Sequence, residues 1–137
     1  MRARWIFGAP RYNRGAVHRV LIVDDHVDAA DTLSAIVEHE GAEVRVAYTA
    51  ATALAAYTAF SPTFVFLDIG IPDMDGYELA RQIRELHPTR APVLVALTGW
   101  APEHDTVRAY EARFTKHLMK PAKAETIREI LSATVAP

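Results

Sequence analysis

The sequence predicts an α/β domain in which helices cover both faces of a doubly wound, five-stranded parallel sheet. Short apolar segments alternate along the chain with segments whose apolar residues recur at helical spacing. Most of the apolar segments are continuous, which is typical of strands buried on both faces of a parallel sheet. The chain has 137 residues, 50% of them hydrophobic, which suits one domain with a core of its own.

Five segments have the pattern of strands. They cover residues 20–23, 44–48, 64–67, 92–97 and 114–119. The segment 44–48 alternates apolar and polar residues, so we place it near an edge of the sheet, and the last segment has the weakest pattern. Parallel neighbours require right-handed crossover connections.

Apolar stripes at helical spacing lie between and after these segments. The stripes comprise Ala30, Leu33, Ile36 and Val37; Ala53, Leu54, Tyr57 and Phe60; Leu79, Ile83 and Leu86; and Ile127, Ile130, Leu131 and Val135. Asp75 and Glu78 form a capping-box pattern at the start of the third helix. Pro102 suits the first turn of a further helix, where its missing N–H is not needed.

The net charge of −2 is unevenly distributed. Residues 1–19 hold five of the 15 basic residues and no acid, so residues 20–137, with ten basic and 17 acidic residues, carry −7. We interpret residues 1–18 as a flexible basic lead-in and residues 19–137 as the folded domain. A solvated tail is the preferred interpretation of the lead-in, and no contact with nucleic acid is expected.

Composition excludes several function classes. The chain has no cysteine, which excludes disulfides, thiolate metal sites and cysteine nucleophiles. No apolar run approaches the roughly 18 residues of a membrane span, and the N-terminus lacks the apolar stretch of a secretory signal. We therefore expect a soluble, cytoplasmic protein without membrane contact.

Polar residues stand where four of the predicted strands end: Asp24 and Asp25, Asp68, Thr98, and Lys120. Ligands of doubly wound sheets bind at the carboxyl ends of the strands, so these side chains should converge. Crowded carboxylates need a cation, and oxygen ligands without cysteine or histidine suit Mg²⁺. A lysine and a hydroxyl group opposite the metal suit the oxygens of a phosphoryl group.

Asp68 is the predicted nucleophile of this site. It stands alone on its strand, whereas Asp24 and Asp25 form a pair suited to holding a metal, and a carboxylate can attack a phosphoryl donor to give an aspartyl phosphate. Taken singly, each residue also has an ordinary interpretation as a turn, cap or solvated residue. Their joint occurrence at successive strand ends favours one site.

The ordered set of motifs resembles the receiver domain of two-component response regulators over about residues 20–135. The motifs are Asp24-Asp25, Asp68 followed by Pro72-Asp73-Met74-Asp75-Gly76, Thr98-Gly99 and Lys120-Pro121. The resemblance implies the flavodoxin-like strand order 2-1-3-4-5. It also implies that a histidine kinase or a histidine phosphotransfer protein donates a phosphoryl group to the central aspartate. The residues around Lys120 look most like receivers of hybrid kinases and phosphorelays, which signal by protein contact or by onward phosphotransfer.

The same resemblance assigns the metal ligands. Asp68 would be the phosphoacceptor and would share Mg²⁺ with Asp25. Asp24 would act mainly through water, and the backbone carbonyl of Gly70 would complete the protein's share of the ligands.

The resemblance further implies a conformational switch. Thr98 would move to bond the phosphoryl oxygen, Lys120 would pair with it, and the Lys120-Pro121 bond is often cis in the family. The position that pairs with the threonine is usually Tyr or Phe but is His117 here. Arg113 likewise replaces a common glycine.

Two further positions tune the lifetime of the phosphoryl group in the family, and here they are Gly70 and Trp100. Gly70 has no side chain to orient an attacking water, and Trp100 would shield the site, so we expect a lifetime of minutes or longer.

Two other function classes stay open beside the receiver. One is a receiver-like interaction module that is never phosphorylated. The other, which is disfavoured, is a Mg²⁺-dependent phosphohydrolase, which needs a second acid where this chain has Gly70. We do not expect an enzyme, and the sequence leaves the oligomeric state and the downstream protein target open. The histidines at positions 18, 26, 39, 87 and 104 lack metal-ligand spacing and are expected to be solvated.

Overall fold

The sheet contains five strands, all of them parallel. The computed structural model describes residues 18–71, 73–86, 92–99, 114 and 116–133. The strands are β1 (Arg19–Val23), β2 (Glu43–Ala47), β3 (Phe64–Asp68), β4 (Val93–Thr98) and β5 (Lys116–Met119). Their order across the sheet is β2-β1-β3-β4-β5, so both the predicted fold class and the implied strand order are confirmed.

Helices pack on both faces of this sheet. In the described part of the chain they are α1 (Val27–His39), α2 (Ala50–Phe60), α3 (Gly76–Leu86) and α4 (Ala124–Ala133). Helices α1 and α4 cover one face, and α2 and α3 cover the other. The helix predicted around Pro102 lies outside the described residues.

The core has two halves because side chains alternate across each strand. Leu21 and Val23 of β1 face α2 and α3, whereas Val20 and Ile22 face α1 and α4. All the residues of β3 are buried. At one edge of the sheet, β2 alternates between exposed and partly buried positions up to its buried last residue, Ala47, as its sequence pattern predicted. No helix among the described residues has the length and apolar content needed to cross a membrane.

The structure adds two details to the prediction of α3. Leu79 and Ile83 are fully buried, but Leu86 is 48% exposed, because the contact with the sheet is made by the earlier turns and Leu86 is the last residue of the helix. The Asp75 carboxylate accepts a hydrogen bond from the Tyr77 N–H. The Glu78 carboxylate bonds Arg81 and Gln82 farther along the helix, and the capping box of Asp75 and Glu78 stays a prediction.

A reciprocal capping box begins α2. The Thr49 side chain accepts from the Thr52 N–H, and the Thr52 hydroxyl oxygen accepts from the Thr49 N–H. The sequence analysis did not predict this capping box, because the usual pattern has Glu or Gln at the position that Thr52 occupies.

Candidate functional site

The site lies at the carboxyl edge of the sheet, between β1 and β3. These strands are neighbours, but β1 continues to β2 on one side and β3 to β4 on the other. The chain therefore leaves the sheet in opposite directions here, which opens a crevice. Asp24 follows β1 and Asp68 ends β3, and both residues are buried, with 2% and 6% exposure. Asp25 is partly exposed beside them.

Lys120 joins the two buried carboxylates. Its Nζ lies 2.8 Å from Oδ2 of Asp24 and 2.8 Å from Oδ2 of Asp68. Burial lowers the pKa of Lys120, but hydrogen bonds and charges from both aspartates outweigh it and raise that pKa above its ordinary value. The Lys120 N–H donates to the Thr98 carbonyl oxygen at 2.7 Å, and the Lys120-Pro121 bond is cis, as the resemblance implied.

The second oxygen of Asp68 is held by the loop that follows β3. The Gly70 N–H donates to Oδ1 of Asp68 at 2.9 Å. A Cβ atom at Gly70 would lie 3.4 Å from that oxygen, an ordinary contact, so this exposed glycine leaves room beside the carboxylate. The ligation of a metal by the Gly70 carbonyl stays a prediction.

Three carboxylates and one imidazole meet in this crevice. One ligand atom each from Asp24, Asp25, His26 and Asp68 lies within 4.8 Å of the others. Oδ1 of Asp25 is buried and has no hydrogen-bond partner among the residues that the structure describes. A buried carboxylate oxygen in a cluster of oxygen donors suits a hard divalent cation, so these residues fit Mg²⁺.

The shape of the loop after Asp68 depends on two further residues. The Asp73 carboxylate accepts the Ala50 N–H at 3.1 and 3.0 Å, which ties the loop to the first residue of α2. A Cβ atom at Gly76 would lie 2.4 Å from the Ile69 Cα, so only glycine lets α3 begin this close to the loop. The sequence places Asp73 in the motif but does not reveal its partner, which is 23 residues away.

The residues of the predicted switch are only partly described. Thr98 ends β4 and is buried, with 4% exposure. His117 is exposed on β5, and its ring meets Phe114 edge-on at 6.2 Å. The switching role of His117 stays a prediction, and Trp100 and Arg113 lie outside the described residues.

His26 was not predicted to belong to the site. Its Nδ1 lies 3.5 Å from Oδ1 of Asp24 and 3.7 Å from Oδ1 of Asp25, although 71% of its side chain is exposed. His18, another histidine expected to be solvated, is partly buried against Phe64 at a ring distance of 4.8 Å, and burial lowers its pKa. The only feature of the sequence that could have placed His26 in the site is its position directly after the two aspartates.

A cavity of about 430 Å³ adjoins the site between α1 and the segment after β5. Asp24 and Lys120 line it on the side of the site, and Leu33, Ile36 and Pro121 contribute apolar walls. The cavity places an apolar surface directly beside the charged groups.

Comparison with known proteins places this site in a family. The sequence model of the response regulator receiver domain matches residues 20–132. An uncharacterised 14.6 kDa protein of Leptolyngbya boryana is 38% identical over 102 residues, which are 74% of this chain and 78% of that protein. The hybrid signal transduction histidine kinase L of Dictyostelium discoideum is 32% identical over 82% of this chain, which spans only 7% of the kinase.

A solved structure of a receiver domain has the same fold as this chain. The CheY-like response regulator receiver domain protein of Methanospirillum hungatei is 31% identical and superposes with a TM-score of 0.80, over 88% of this chain and 94% of that one. The match of the family model to most of the chain, the shared fold and the joined strand-end residues agree: this chain belongs to the response regulator receiver domain family of two-component signal transduction.

Proposed function

We propose that Asp68 accepts a phosphoryl group from a phosphorylated histidine. One observation carries this proposal: Lys120 Nζ bonds Asp68 and Asp24 at equal distances of 2.8 Å at the carboxyl edge of the sheet. An ammonium group held on the acceptor carboxylate is suited to neutralise the charge that a phosphoryl group brings there.

The transfer exchanges one bond to phosphorus for another. A carboxylate oxygen of Asp68 attacks phosphorus, an O–P bond forms, and the P–N bond to the donor imidazole breaks. The electron pair of the broken bond stays on the imidazole nitrogen, which takes up a proton. The product is an aspartyl phosphate, and the chain thereby acts as a signalling domain that assists its own phosphorylation, not as an enzyme acting on a separate substrate.

Asp24, Asp25 and Asp68 would hold Mg²⁺, with the Gly70 carbonyl as a further ligand. Bound Mg²⁺ would supply positive charge to the carboxylates and to the phosphoryl oxygens. The buried Oδ1 of Asp25, which lacks a hydrogen-bond partner in the described part of the chain, supports this assignment.

Thr98 and Lys120 would stabilise the phosphorylated state. Thr98 ends β4 two strands away from Asp24, and its carbonyl already accepts the Lys120 N–H. The Thr98 hydroxyl would move toward the phosphoryl group, and the side chain of His117 on β5 would move after it. These two movements would carry the conformational change to the surface. Gly70 and Trp100 would then set the lifetime of the product.

We place the receiver in the cytoplasm, where its partners would be a histidine kinase or histidine phosphotransfer protein and a downstream protein target. Val27 is 50% exposed at the start of α1 and Met119 is 58% exposed at the end of β5, next to the residues of the site. Exposed apolar side chains beside a reactive group suit a protein partner. No nucleic-acid or membrane partner is proposed.

The test is incubation of the full chain with Mg²⁺ and acetyl phosphate, followed by intact-mass measurement. We expect one added phosphoryl group, which is absent in Asp68→Asn and without Mg²⁺. Asp31→Asn is the matched control, because Asp31 is exposed on α1 and its carboxylate bonds Tyr48. No adduct at any Mg²⁺ concentration would favour the interaction module, and rapid turnover of a phosphomonoester would favour the phosphohydrolase.

A further inference from the structure

We propose that His26 is an additional ligand of the metal site, so that the site also takes divalent transition-metal ions that bind imidazole, Ni²⁺ above all. The inference rests on the metal site of the proposed function, because it uses the carboxylates of Asp24, Asp25 and Asp68. It adds a nitrogen donor that this sequence supplies directly after its aspartate pair.

The distances place the imidazole at the edge of one coordination shell. Nδ1 of His26 lies 3.5 Å from Asp24 Oδ1 and 3.7 Å from Asp25 Oδ1. Neighbouring ligands of an octahedral ion, bound at about 2.1 Å, stand about 3 Å apart. A small rotation of the His26 side chain is enough to close the difference.

His26 is available for this role because it does not cap its helix. It occupies the N-cap position of α1 with extended backbone angles, but its side chain makes no capping hydrogen bond. N-cap side chains ordinarily accept a bond from the first turn. The His26 main chain is nevertheless fixed, since its N–H donates to Asp24 Oδ1 at 2.9 Å. The backbone therefore holds the ring beside the carboxylates, and its exposure leaves it free to turn.

The positions of the charged groups favour binding of a cation on the side of the crevice where His26 lies. Lys120 bonds the Oδ2 atoms of Asp24 and Asp68, whereas the imidazole lies beside Oδ1 of Asp24 and the buried Oδ1 of Asp25. A cation at the Oδ1 atoms would thus meet His26 and avoid the ammonium group. Mg²⁺ prefers oxygen ligands, but imidazole suits Ni²⁺, so His26 should raise the affinity for Ni²⁺ selectively.

Titration calorimetry with Ni²⁺ and with Mg²⁺ tests the selectivity. We expect His26→Asn to weaken Ni²⁺ binding by about tenfold or more while Mg²⁺ binding stays within about twofold. Asparagine is a favourable N-cap residue, so α1 should be retained. His39→Asn is the control, because His39 is exposed at the far end of α1, and it should leave both affinities unchanged. Asp68→Asn should weaken Ni²⁺ binding as His26→Asn does.

Pulsed electron paramagnetic resonance with Mn²⁺ identifies the ligand directly. The wild-type chain should show hyperfine coupling to an imidazole nitrogen, and His26→Asn should lose it. Unchanged Ni²⁺ affinity or persistent nitrogen coupling in His26→Asn would overturn the inference. So would Ni²⁺ binding that depends on His26 but not on Asp68, because the ion would then sit outside the crevice.

These results are separable from the proposed function. Phosphorylation of Asp68 with no effect of His26→Asn on Ni²⁺ binding would refute only the added ligand. Ni²⁺ binding that requires both His26 and Asp68, in a chain that takes no phosphoryl group, would refute only the acceptor role.

Discussion

The Lys120→Met substitution removes the ammonium group that bonds both buried carboxylates and keeps most of the apolar stem of the side chain. Oxygens of Asp24 and Asp68 lie within 4.8 Å of each other. Two unit charges at that separation repel by about 3.5 kcal/mol at an effective dielectric constant of about 20. Loss of one partner of a buried ion pair costs about 3–5 kcal/mol. Because the Lys120 side chain is 21% exposed, we expect the lower end, a loss of about 3 kcal/mol in the free energy of unfolding.

Urea unfolding at neutral pH in the presence of a chelator measures this loss. Lys116→Met is the matched control, since Lys116 is exposed on β5, and it should change stability by no more than about 0.5 kcal/mol. Added Mg²⁺ should decrease the difference in free energy of unfolding between the wild type and Lys120→Met, because a cation again faces the carboxylates. A deficit below about 1 kcal/mol, or one equal to that of the control, would refute the ion-pair reasoning.

Three further predictions concern pH and two glycines. Burial lowers the pKa of Lys120, but its carboxylate partners raise it above the ordinary value of 10.5. The contribution of the ion pair to the free energy of unfolding should therefore be complete below pH 10.5 and should be lost as the pH rises through the higher pKa of the folded state. The stability difference between wild type and Lys120→Met in urea unfolding should follow this course, and a difference already lost at pH 9 would contradict it. Gly76→Ala forces a Cβ atom against backbone at 2.4 Å and should cost about 2 kcal/mol by thermal or urea unfolding; Gly99→Ala, which meets no atom within 4 Å, is the control. Gly70→Asn should shorten the half-life of phosphorylated Asp68 by about tenfold in a time course of intact mass, because the amide can orient an attacking water, whereas Gly70→Ala should not.

Strand ends were the most informative part of the sequence. Continuous apolar runs predicted the buried strands, and the rule that ligands bind at carboxyl ends then predicted which polar residues would meet. Asp24, Asp68 and Lys120 do meet, although Lys120 is 52 residues from its acceptor partner. A one-dimensional pattern sufficed here because a parallel sheet brings all its carboxyl ends to one edge.

Contacts away from the strand ends could not be predicted in this way. The bond from Ala50 to Asp73 depends on how α2 packs beside the loop, and nothing in the local sequence of either residue specifies it. The approach of the His26 ring to two carboxylates depends on the backbone turn before α1. The exposure of Leu86 depends on where α3 ends relative to the sheet, which periodicity does not encode.

Borohydride reduction can show whether Asp68 carries the phosphoryl group. Borohydride reduces an aspartyl phosphate to homoserine, which peptide mass spectrometry locates by position. After incubation with Mg²⁺ and acetyl phosphate, we predict homoserine at position 68 alone. Its yield should depend on Mg²⁺ and should be lower in Lys120→Met than in the wild-type chain. Homoserine at another aspartate, or none in a chain that has gained the phosphoryl mass, would contradict phosphorylation of Asp68.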